Sequence, residues 1–82
     1  MYAIEWTVRA SNGLAMICLA HPNEWADIDA AENVIFGKLQ RDPFPNSQEV
    51  SEGLRKIVQW PLVAYFSIRD QIVEIDAVGW IG

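Results

Sequence analysis

The chain has 82 residues, 51% of them hydrophobic and four of them tryptophan, with six Lys and Arg against eleven Asp and Glu for a formal net charge of −5. That is too apolar for a disordered chain and too short for more than one domain, which would span 1–82 and bury about 60% of its unfolded surface. The negative charge repels a polyanion over most of the surface, which argues against general nucleic-acid binding and against direct contact with DNA.

Tyr2 to Arg9 alternates, with Tyr2, Ile4, Trp6 and Val8 on one side and Ala3, Glu5, Thr7 and Arg9 on the other, as in a half-buried strand. Ser11-Asn12-Gly13 breaks the pattern. Leu14 to Ala20 is a small apolar run open to either helix or strand, and Ser11 or Asn12 as a cap favours helix. A second helix starts at Asn23 after Pro22, carries Glu24 and Asp27 in its first turn and Lys38 and Arg41 in its last, and stops at Asp42-Pro43. Its stripe of Ile28, Ala31, Ile35 and Leu39, edged by Trp25 and Phe36, calls for a packing partner.

Pro43 to Gly53 has the composition of a long loop. Three strands follow, Leu54 to Trp60, Leu62 to Ile68 and Ile72 to Trp80, separated by Pro61 and by the turn Arg69-Asp70-Gln71. In the middle strand Leu62, Ala64, Phe66 and Ile68 form an apolar face. In the last, Val73, Ile75 and Ala77 oppose Glu74 and Asp76. The fold class expected is α+β, with two helices packed on one face of a small antiparallel sheet in the order β-α-α-β-β-β.

The run Gln40-Arg41-Asp42-Pro43 closing a helix, then Gly53-Leu54-Arg55-Lys56-Ile57, Pro61 through Ile68, and Val73-Glu74-Ile75, resembles the RelE/ParE superfamily of toxin-antitoxin (plasmid-stabilisation) toxins. The resemblance runs from about Asp27 to Gly79. It implies two helices on a curved sheet and a function of one of two kinds: cutting messenger RNA on the ribosome, as RelE-like members do, or poisoning gyrase, as ParE-like members do. Arg55 and Lys56 match the strand position where RelE-like enzymes carry phosphate-holding cations. The arginine usual in the middle strand is missing between Pro61 and Phe66, and Val78 to Gly82 supplies neither the basic residues nor the base that usually follow the last strand. RNA cleavage needs both cations and a base. The resemblance therefore implies a ParE-like or catalytically degenerate RelE-like toxin that acts by protein–protein binding, with an antitoxin or a cellular protein as partner. The alternatives are a ribosome-dependent endoribonuclease using Arg55 and Lys56 as catalytic residues, and a non-toxic interaction module.

Other candidate sites carry competing readings. Cys18 and His21, three apart, can face one zinc ion, but a structural zinc wants four ligands and no further Cys or His exists; the plainer reading is a core thiol and a histidine closing a helix. No metal and no cofactor is expected. Glu32, between Ile28, Phe36 and Leu39 on the wheel, is a candidate for a partly buried carboxylate. Arg55 and Lys56 can instead pair with Glu74 and Asp76 across the sheet. Trp60, Tyr65, Arg69 and Trp80 are the candidate partner-binding residues of an open sheet face, although the three aromatic rings can equally complete the core. Asp70, Glu74 and Asp76 form an acidic edge. A lone cysteine, the lack of a basic-then-apolar leader and the lack of any apolar run near about 20 residues point to a cytoplasmic protein without membrane contact.

Overall fold

The computed structural model describes residues 1–82. Eight elements follow one another: β1 (Ala3–Trp6), α1 (Val8–Ala20), a 3-10 turn (Pro22–Glu24), α2 (Trp25–Arg41), β2 (Gln48–Ser51), β3 (Leu54–Gln59), β4 (Leu62–Arg69) and β5 (Ile72–Trp80). The strands form one sheet in the order β1-β5-β4-β3-β2. Neighbours pair antiparallel except β1 and β5, which run parallel with Ile4 opposite Val73 and Trp6 opposite Ile75. The α+β class and the two helices stand as expected, while the sheet is mixed and has five strands rather than four.

The first strand is shorter than its alternation suggests. Thr7 ends it by taking extended geometry at the N-cap of α1, where its hydroxyl accepts a hydrogen bond from the Ala10 amide at 3.1 Å. Val8, Arg9 and Ser11-Asn12-Gly13 are therefore helical, and the cap is Thr7 rather than Ser11 or Asn12. The same hydroxyl donates toward the Ile75 carbonyl at 3.0 Å, and the Thr7 amide also donates to that oxygen, at 3.1 Å. That carbonyl sits beside an irregularity in the ladder. Tyr65 faces Ala77 while Phe66 faces Ile75, so Asp76 is an extra residue on β5.

This bulge changes the phase of β5. Ile75 stays on the helix side, Ala77 moves to the open side opposite Tyr65, and Val78 and Trp80 join the core layer opposite Ala64 and Leu62. The expected grouping of Ala77 with Val73 and Ile75 is corrected accordingly. Between the sheet and the helices lie Ile28, Ala31, Ile35 and Leu39 of α2, Ala10 and Ile17 of α1, and Leu62, Ala64, Phe66, Val73 and Ile75 of the central strands. The α2 stripe is the one its spacing predicts, but the α-helix proper starts at Trp25, with Asn23 inside the preceding 3-10 turn.

β2 lies within the segment expected to be loop. All four of its residues are exposed, so nothing in its hydropathy marks it. It turns into β3 through Glu52-Gly53, where Gly53 takes φ 78°, a left-handed conformation that a side chain would strain.

Candidate functional site

Arg55 and Lys56 are adjacent in β3, so their side chains leave opposite faces of the sheet. Arg55 stands opposite Phe66 on the helix side. Its Nε donates to Ser47 Oγ at 2.8 Å, and its Nη2 to the carbonyls of Phe44 and Ser47, each at 3.2 Å. The guanidinium also lies 5.3 Å from the centre of the Phe44 ring. Arg55 thus spends its Nε and Nη2 donors on the segment that joins α2 to β2. Lys56 stands opposite Tyr65 on the open face and borders a shallow groove of about 460 Å³, lined also by Pro45, Asn46, Ser47, Gln48 and Val58. The structure does not bring the two cations together, and neither pairs with Glu74 or Asp76, since no carboxylate lies within 4.0 Å of either.

The open face runs from Lys56 and Val58 on β3, through Tyr65, Ser67 and Arg69 on β4, to Glu74 on β5 and Glu5 on β1. Glu5 and Glu74 are direct neighbours in the parallel ladder, an arrangement that like charges disfavour. Asp76, on the bulge, accepts a hydrogen bond from Ser67 Oγ at 3.3 Å.

Of the four candidate contact residues, Tyr65 and Arg69 share the open face and Trp60 is exposed in the turn between β3 and β4. Trp80 does not join them. Its register places it on the helix side, where its ring stacks on His21 at 3.7 Å and 13°. It pins the end of β5 to the corner between the helices. Of the Cys18 and His21 pair, His21 is stacked on Trp80, while Cys18 carries a free thiol and its backbone carbonyl accepts the Trp25 indole N–H at 2.7 Å.

A second groove, about 380 Å³, opens between the helices and is lined by Cys18, Trp25, Ala26, Ile28, Asp29 and Glu32. Partial burial, and secondly the charge of Asp29, push the Glu32 carboxyl above its ordinary range. Glu32 was singled out on the helical wheel. Trp25 was placed only at the edge of the apolar stripe and Asp29 was not marked, though a signal for the carboxylates was present: between Arg9 and Lys38 the chain has four of them and no Lys or Arg.

No protein-family profile and no curated protein matches the chain. Solved structures do. The chain is similar to one in the chromosomal ParDE TA system from P. aeruginosa, at 20% identity and a TM-score of 0.76, over 100% of this chain and 98% of that one. It is also similar to a chain of the toxin-antitoxin complex RelBE2 from Mycobacterium tuberculosis, at 22% identity and a TM-score of 0.69, over 96% of both. The fold is that of the RelE/ParE toxins. At these identities the likeness is one of architecture, and it extends beyond the segment from Asp27 to Gly79 to take in β1 and α1. Within this fold, grooves lie beside Lys56, between the helices, and beside Arg55, the last lined also by Phe44, Glu49, Gly53 and Ile68.

Proposed function

We propose that this chain is the toxin component of a toxin-antitoxin pair and that it acts by binding protein. The observation that carries the reading is the divergence of Arg55 and Lys56. Cleaving RNA requires cations that converge on one phosphate and a base near the 2′-hydroxyl. Here Arg55 is held by Phe44 and Ser47 on one face, and Lys56 stands on the other beside Asn46, Ser47 and Gln48. The single histidine is stacked on Trp80, away from either.

Both solved neighbours come from toxin-antitoxin assemblies, which supports an antitoxin protein as partner. Val58, Tyr65 and Arg69 on the open face, with exposed Trp60 at its end, supply a mixed apolar and polar surface of the kind that binds protein. The test is induced expression in a bacterial host, comparing the parent with Lys56→Ala. Growth arrest with intact messenger RNA, unchanged by the substitution, is the expected result. Cleaved messenger RNA that Lys56→Ala abolishes overturns it in favour of the endoribonuclease, and growth without arrest removes the toxin assignment.

A further inference from the structure

The end of the helix pair combines features that a free surface does not ordinarily combine. A surface helix normally turns a polar face to water. On α1, Ala15 and Leu19 follow Cys18 round the helix, and Leu19 is 75% exposed. Across the groove the Trp25 indole is 57% exposed yet fixed in direction by its hydrogen bond to the Cys18 carbonyl, and Ile28 makes the floor. The wall is therefore set before anything binds.

Charge around this apolar surface has one sign. Glu24, Asp27, Asp29 and Glu32 all belong to this end of the pair, and no Lys or Arg lies between residues 9 and 38. Asp29 and Glu32 line the groove itself and neither has a cation within 4.0 Å. Covering the groove with an uncharged or anionic partner would strip water from two unpaired carboxylates, whose loss of hydration nothing would offset.

We propose that this groove docks an amphipathic helix of a partner protein, whose apolar stripe covers Trp25, Ile28 and Leu19 and whose Lys or Arg side chains pair with Asp29 and Glu32. The inference rests on the reading that the chain acts by protein contact and adds the chemistry of the partner. A helix fits because a groove between two helices accepts anchors spaced three and four residues apart. A second copy of this chain is a poor occupant, since it would bring the same carboxylates against themselves. An anionic membrane or a nucleic acid meets the same repulsion.

The experiment uses two designed helical peptides with one leucine stripe, flanked in one by lysines and in the other by glutamates. Each is titrated into the full chain while backbone amide shifts and tryptophan emission are followed. The lysine peptide is expected to move amides between residues 15 and 32 and to bind about tenfold tighter than the glutamate peptide, with a preference that weakens in salt. Asp29→Asn combined with Glu32→Gln, checked for an unchanged amide spectrum elsewhere, is expected to erase the preference while leaving the apolar contribution. Equal binding of the two peptides, shifts confined to the open sheet face, or self-association of the chain through the groove each overturns the proposal. Growth arrest is read separately. Arrest without lysine preference sinks this inference alone, whereas lysine preference without arrest leaves the groove and removes the toxin assignment.

Discussion

The centre of the sheet and the end of the helix pair are built from similar residue types and end in opposite conditions. Along β4, Leu62, Ala64 and Phe66 are nearly or wholly buried, and β3, β5 and both helices close over them with no charged group inside. At the helix end, Leu19 and Trp25 stay exposed, and Trp25 shares a groove with Asp29 and Glu32, which have no cation within 4.0 Å. The first region has every contact it needs from its own chain. The second does not, and that difference separates residues that hold the fold from those available to something else.

The largest effect expected comes from attacking the satisfied region. Phe66→Ala removes a side chain with 0% exposure from the middle of the core and leaves a cavity that helices and strands cannot both collapse into. A loss of about 3–5 kcal/mol in urea unfolding is expected, out of roughly 4–10 kcal/mol for a chain of this size. A loss below about 1 kcal/mol would mean the core is not organised around β4.

The middle effect divides two neighbours. Arg55→Ala deletes three hydrogen bonds to Phe44 and Ser47 and frees the segment from α2 to β2, at a cost of about 1–3 kcal/mol. Lys56→Ala, one residue on, takes away a side chain with no ion-pair partner and should stay within about 0.5 kcal/mol of the parent. Urea midpoints of the two variants measure this directly. Equal losses would contradict the separation of the pair by the sheet.

How much of this was legible from residues alone follows the same division. The stripe Ile28, Ala31, Ile35 and Leu39 and the apolar run of β4 are local patterns, and they appear where spacing puts them. Three features were hidden because they depend on distant chain. Thr7 becomes a cap because the bulge at Asp76 places two carbonyls beside it, at 3.0 and 3.3 Å. β2 is an exposed edge strand whose only signature is its pairing with β3. Trp80, a candidate for the open face with the core as the equal alternative, goes to the core because of the bulge; the apolar pair Val78 and Trp80, out of step with Val73 and Ile75, was the available clue. At the candidate site, the adjacency of Arg55 and Lys56 suggested one basic locus, whereas strand geometry sends them apart.

The smallest effect sharpens the comparison from the unsatisfied side. Glu32 keeps its proton to higher pH in the folded chain than its ordinary value of 4.5, first because partial burial strips water from the carboxylate and then because Asp29 repels it. The folded state therefore binds more protons than the unfolded one between that value and the raised one, so stability falls as pH rises through the window and stays lowered above it. Glu32→Gln should remove that slope. The variant is expected to match the parent near pH 4 and to be slightly more stable at pH 7, by an amount that solvent screening keeps small. A series of urea unfolding curves from pH 4 to 7 reads it out. If the parent instead gained stability relative to Gln over that interval, the carboxylate would have a favourable partner inside the chain, and the groove would have no need of a cation from outside.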